Sequence, residues 1–141
     1  MPEGVKTRDA LFEEIARAAA SVVTTHDQDT LAKLLARREE QGPTSTAEGV
    51  AFPHAVAPGL SPSIIVAARL PKGIDFGRSD HPACNLVFCM FGDSETPWEH
   101  VRLLARLARI VRNDDARHQL LSATTPEELL DRLLEQDRAY G

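Results

Sequence analysis

From Thr7 onward, apolar residues recur at Leu11, Ile15, Ala18 and Val22, spacings that put them on one face of a helix. The polar run THDQD ends that pattern. Leu31, Leu34 and Leu35 then mark the inner face of a second helix, which runs through ARREEQ to a stop at Gly42. Residues 42–49 are rich in turn formers and predict a loop. Residues 50–52 read as a short strand, with Phe52 pressed towards extended geometry by Pro53, so His54 is expected at a strand end. SIIVAARL reads as a second strand, broken by the turn PKG. NLVFCMF is apolar at every position but its first, as expected for a central strand covered by helices on both sides.

Two helix starts follow. TPWE offers Thr96 as N-cap, Pro97 at the first helical position and Glu99 three residues after the cap, and the helix it opens runs to about Asn113. TPEE repeats the device with Thr125, Pro126 and Glu128 ahead of LLDRLLEQ. A short helical piece around DARHQLL lies between them. The order of two helices, strands, then two or three helices predicts an α/β fold, a mixed β-sheet with helices on both faces. The 141 residues, 43% hydrophobic, suit a single domain with a continuous core.

Charge narrows the function. The net charge is -5, and arginines are interspersed with acidic residues, so the basic footprint of a nucleic-acid binder is missing. The longest apolar run, LVFCMF, is far short of the roughly 20 residues that span a bilayer, and MPEGVKTRD has no signal-peptide core. No membrane insertion and a cytoplasmic location are expected. Cys84 and Cys89 fit neither a CxxC redox motif nor a zinc half-site, and read as buried thiols. Neither metal-ligand spacing nor a Walker loop, GxGxxG or GxSxG elbow occurs, so no metal and no cofactor are expected.

Among the five histidines, His54 follows a strand and a glycine-bearing loop. His100 sits in the first turn of the TPWE helix, at the edge of the face marked by Leu103, Leu104 and Leu107. His26, His81 and His118 stand in polar settings and read as surface residues. Taken alone, each of the five is more often structural than catalytic.

The run RREEQGPTSTAEGVAFPHA alters that balance. It resembles the signature of the IIA component, fructose, mannitol and nitrogen-regulatory type, of the bacterial phosphoenolpyruvate-dependent phosphotransferase system: R-E, a few residues, then T-G-I-G-x-G-I-A-I-P-H. Arg38 and Glu39 match R-E, Thr44 the threonine, and Gly49, Ala51, Pro53 and His54 the remainder. PKGIDF and HVRLLARLARIVRND are similar to further family segments, the latter placing His100 at a second active-site histidine. The resemblance implies phosphorylation of His54 through Nε2, with Nδ1–H held by a carbonyl. It implies Arg38 as a phosphate-binding group and His100 as a hydrogen-bond donor to the phosphoryl group; Thr44 could add a hydroxyl to the phosphate or serve equally as a turn cap. Those residue types suit phosphoryl transfer, which needs an in-line nucleophile and stabilised negative charge, and Arg supplies a fixed fork for two phosphate oxygens.

The implied partners are the small histidine-containing carrier protein as donor, and a IIB domain or a regulated protein as acceptor. A nitrogen-regulatory role is the reading adopted, with a sugar-specific IIA and a non-phosphorylated binding module as alternatives. The chain departs from the pattern twice. TSTA puts Ser45 and Ala47 where the family has glycines, which makes close backbone approach to a phosphate less easy. MPEGVK is too short and polar for the strand with which the family opens.

Overall fold

A computed structural model describes residues 5–77 and 80–141. Thr7 starts the first helix by accepting the Ala10 amide on its hydroxyl, and Asp27 starts the second through the Thr30 amide, so α1 (Arg8–Ala20) and α2 (Gln28–Gln41) are both side-chain capped. Four strands follow: β1 (Val50–Ala51), β2 (His54–Ala57), β3 (Ile64–Ile74) and β4 (Cys84–Asp93). Helices α3 (Pro97–Arg112), α4 (Asp114–Leu121) and α5 (Pro126–Tyr140) complete the chain.

β4 is the axis of the sheet. On one side it pairs parallel with β1 (Val50 opposite Leu86) and then β2 (His54 opposite Met90); on the other it pairs antiparallel with β3. β1 and β2 keep one register along β4, interrupted where Pro53 lacks the N–H a ladder needs. Side chains of β4 alternate between two cores. Val87, Cys89 and Phe91 pack with Leu11, Phe12, Leu31 and Leu35 of α1 and α2; Leu86, Phe88 and Met90 pack with Leu107, Ile110, Leu120 and Leu129 of the last three helices. The sheet is therefore mixed and covered by helices on both faces.

Several local expectations need correction. The buried face of α1 is rotated towards Phe12, Ala16 and Ala19, leaving Ala18 exposed, while Val22 lies beyond the helix and is 50% exposed. Phe12 has more apolar area to hide than Ala18, and burial follows area. PKG does not end β3. The strand runs on to Ile74 across an irregular stretch between Arg69 and Ile74, where the Asn85 side-chain amide donates to the Leu70 carbonyl at 2.9 Å. Gly73 sits there at φ 71°, and a Cβ would lie 2.9 Å from that of Ala83.

Thr96 is the N-cap of α3 but forms no capping box. Its hydroxyl donates to the Asp93 carbonyl and lies 3.3 Å from Glu99 Oε2. In α5 the Thr125 hydroxyl caps the Glu128 amide as expected, while the Glu128 carboxylate accepts from the Thr124 amide, one residue earlier than a capping box requires. The opening segment is described only from Val5, which packs against the core beneath α1; residues 1–4 of MPEGVK lie outside the described residues.

Both cysteines are buried. Burial pushes the Cys84 thiol up to about 11 and holds Cys89 well above the ordinary thiol range, so both stay protonated. Among the described residues no helix is long and apolar enough to cross a membrane.

Phe88, fully buried, has its ring 6.1 Å from that of Phe52, nearly parallel to it. Phe88→Ala is expected to cost about 3–5 kcal/mol in urea unfolding. A loss below about 1 kcal/mol would show that the core can close over the gap.

Candidate functional site

Three elements bring the site together. Arg38 lies in the last turn of α2, where a cation complements the helix C-terminus. His54 follows the short strand β1, as expected, and itself opens β2 alongside Met90 of β4. His100 lies in the first turn of α3. The two imidazole centroids are 4.8 Å apart with ring planes at 56°.

Hydrogen bonds fix the state of His54. Arg38 Nε donates to His54 Nε2 at 2.9 Å, so Nε2 presents a lone pair and the ring proton belongs on Nδ1. That proton is donated to the Phe52 carbonyl at 3.0 Å. Arg38 is itself held at its far end, where Nη1 donates to the Gly42 carbonyl at 2.8 Å. Burial lowers the His54 pKa and the Arg38 charge adds to this, against an opposing contribution from the Phe52 carbonyl. Burial also lowers that of His100, reinforced by His54 and Arg38. Both rings are neutral at neutral pH. His100 Nε2 is buried and, among the described residues, has no hydrogen-bond partner, although its ring lies beside that of His54.

Thr44 belongs to the support of the site. Its hydroxyl donates to Glu39 Oε1 at 2.7 Å and its amide to Glu39 Oε2 at 2.8 Å, so the hydroxyl proton expected to face a phosphate is engaged elsewhere. Glu39, 4% exposed, is the residue whose role sequence reasoning missed. A carboxylate so buried is tolerated because both oxygens accept hydrogen bonds. The signal was present, since Glu39 is half of the R-E pair, but its spacing from Thr44 carries no recognisable period. Thr44 also accepts the Phe52 amide on its carbonyl at 3.1 Å. A chain of contacts thus runs from Glu39 through Thr44 and Phe52 to the His54 ring.

The TSTA loop is built around its substituents. Ser45 is buried at 8% exposure, bridges Ala51, and its hydroxyl lies 3.0 Å from His81 Nδ1. Neither Ser45 nor Ala47 has positive φ. His81 is consequently half-buried rather than a plain surface residue; His26 is half-buried beside the Thr25 hydroxyl, and His118 is exposed.

The Arg38 guanidinium and the His54 and His100 imidazoles thus meet at one end of a mixed sheet. The chain belongs to the family described as phosphoenolpyruvate-dependent sugar phosphotransferase system, EIIA 2, whose model it matches over residues 1–136. It is 31% identical over 129 residues to the nitrogen regulatory protein of Pseudomonas aeruginosa, spanning 92% of this chain and 82% of that protein. Its fold is that of nitrogen regulatory protein IIA-Ntr from Neisseria meningitidis, with a TM-score of 0.80 at 24% identity over 92% of this chain and 88% of that one. The Escherichia coli enzyme IIA for mannitol, solved in complex with phosphorylated enzyme IIB, aligns with a TM-score of 0.77 at 18% identity, over 96% of this chain and 92% of that one.

NMR titration is expected to give His54 and His100 pKa values below the ordinary 6.5, and Arg38→Gln should raise both by removing a nearby positive charge. Because folding depresses these values, their contribution to stability is intact above about pH 6.5, the unfolded pKa, and is lost as pH falls towards the folded values. Titration of His54 above 6.5 would contradict the assigned ring state.

Proposed function

We propose that this chain is a phosphohistidine carrier of the nitrogen-regulatory kind, cytoplasmic, accepting a phosphoryl group on His54 Nε2 from the histidine-containing carrier protein. Its phosphorylation state then governs binding to a regulated protein, with a IIB domain as the alternative acceptor. The observation that carries this reading is the pairing of a fixed Nε2 lone pair on His54 with the unsatisfied Nε2 of His100 beside it.

In the transfer, the P–N bond to the donor imidazole breaks as the bond to His54 Nε2 forms. The donor ring leaves neutral. The His54 ring keeps its Nδ1 proton and becomes cationic, a charge that the Phe52 carbonyl stabilises. Arg38 Nε exchanges its bond with Nε2 for one with a phosphoryl oxygen, and its anchor on Gly42 keeps the guanidinium in place. His100, protonated on Nε2 in its neutral form, donates to another oxygen. Likeness at 31% identity to a nitrogen regulatory protein supports the regulatory reading over the sugar-specific one.

The test is incubation with phosphoenolpyruvate, enzyme I and the carrier protein, followed by intact mass. One acid-labile, base-stable phosphoryl group is expected, absent in His54→Ala. A phosphoryl group that survives acid or persists in the variant would place the chemistry elsewhere. Adding a IIB domain separates the two acceptors: rapid loss of the group to IIB would favour the sugar-transport alternative.

The loop makes a second expectation. Ser45→Gly with Ala47→Gly removes the contact with His81 and frees the unfolded chain, so stability should fall by about 0.5–1 kcal/mol per glycine. No gain in phosphorylation rate is expected, since neither residue holds a strained backbone. A tenfold acceleration would show instead that their Cβ atoms obstruct the phosphate.

A further inference from the structure

Glu39 is an unusual residue for a helix end. It follows Arg38 in the last turn of α2, yet it is 4% exposed, and both of its oxygens accept from one residue. The Thr44 hydroxyl lies at 2.7 Å and the Thr44 amide at 2.8 Å. A buried carboxylate is costly unless it is well hydrogen-bonded, so a carboxylate turned inward at a helix end, and committed wholly to Thr44, points to a task that Thr44 performs.

That task follows from the backbone of the loop. Residues 44–46 run antiparallel to residues 50–52 across the Ser45–Ala51 bridge, with the Thr46 amide donating to the Val50 carbonyl at 2.9 Å and the Phe52 amide to the Thr44 carbonyl at 3.1 Å. Pro53 has no amide hydrogen with which to add a further rung. Thr44 therefore stands between two elements, its N–H fixed to α2 through Glu39 and its C=O fixed to Phe52. Stacking on Phe88 seats the Phe52 side chain, and the rung to Thr44 limits rotation of the backbone beside it. Beyond that rung the Phe52 carbonyl accepts the His54 Nδ1 proton at 3.0 Å, while the Met90 amide secures the next residue by donating to the Pro53 carbonyl at 3.0 Å.

The two holds on the His54 ring differ in kind. Arg38 Nε rests on Nε2, the atom that takes the phosphoryl group, and must leave it when the phosphate arrives. From then on the ring is aimed from its Nδ1 side. An imidazole free to turn would carry Nε2 off the line of transfer.

We propose that Glu39 is a positioning residue for phosphoryl transfer: by gripping Thr44 it keeps the Phe52 carbonyl on Nδ1 and so holds His54 Nε2 in line once Arg38 has moved to the phosphate. This role presumes that His54 carries the phosphoryl group.

Two readouts test it. One is water exchange of the His54 Nδ1 proton, followed by NMR in the unphosphorylated protein; the other is phosphorylation by phosphoenolpyruvate and enzyme I at increasing concentrations of the carrier protein. In Glu39→Ala the proton should exchange at least about tenfold faster, and the transfer rate at saturating carrier protein should fall about tenfold. The carrier concentration that gives half the maximal rate should not change, because Glu39 lies beneath the surface. Thr44→Val removes the hydroxyl bond and leaves the amide bond, so it should fall between Glu39→Ala and the wild type, and it carries both readouts should Glu39→Ala not fold by circular dichroism. Glu39→Gln should keep most of both, since its carbonyl can accept the Thr44 amide while its NH₂ donates to the Thr44 hydroxyl oxygen. The role is overturned if Glu39→Ala leaves either the proton exchange or the saturated rate unchanged, or if only the half-maximal concentration rises. It is overturned as well if Glu39→Gln loses as much as Glu39→Ala, which would assign the effect to charge rather than position. A wild-type chain that takes no phosphoryl group would remove His54 as the carrier and the kinetic role with it, while proton exchange still decides whether Glu39 holds the ring.

Discussion

Between two short strands of a sheet, backbone groups must still find partners, and at Phe52 that requirement organises the end of the molecule that holds His54. The Phe52 amide goes to the Thr44 carbonyl and its carbonyl receives the His54 Nδ1 proton. The strand edge is satisfied by a loop on one side and by an imidazole on the other. Fixing the ring to its own chain two residues back costs little, because both ends of the bond already lie on one extended segment. Pro53 between them removes a donor and leaves the local geometry with few alternatives. The Phe52 ring stacks on Phe88 in the core, so the carbonyl that sets the tautomer is held by buried apolar contact rather than by a mobile loop.

The second anchor is a pair of charged side chains. Adjacent residues at the end of α2 divide the work, with Arg38 turned towards the imidazole and Glu39 turned inward to grip Thr44. One helical step of about 100° separates the two directions, which is why neighbouring side chains can serve the ring and the loop at once. The loop from Gly42 to Gly49 is therefore tied at its start by Glu39 and at its middle by Ser45 to His81 and Ala51.

Much of this was legible in sequence where burial and periodicity coincide. β4 could be read from its unbroken apolar run, and α2 from its leucines and the glycine stop, because each pattern has one physical cause. Legibility failed where two causes compete. In α1 the stripe through Ala18 and Val22 has the right spacing, yet Phe12 decided which face turned inward. β2 went unread because Pro53 resembles a strand terminator, although the register along β4 continues past it. The continuation of β3 through PKG depends on the Asn85 side chain, fifteen positions from the carbonyl it serves. Arg38, His54 and His100 were nominated by motif resemblance, not by period or composition. Their convergence is a tertiary fact, made by the packing of α2 and α3 beside one strand, as is the engagement of Thr44 by Glu39.

Two neutral imidazoles with ring centroids 4.8 Å apart would ordinarily invite a transition-metal ion, since neutral imidazole is a common ligand. Here the guanidinium of Arg38 already rests on the His54 nitrogen that would bind it. A divalent cation would have to displace a group of its own sign, anchored at its far end and unable to lose its proton at physiological pH. An approaching anion meets the opposite situation, because the same guanidinium attracts it and can release the nitrogen while gaining an oxygen partner. The arrangement thus favours an anion over a cation beside the His54 ring.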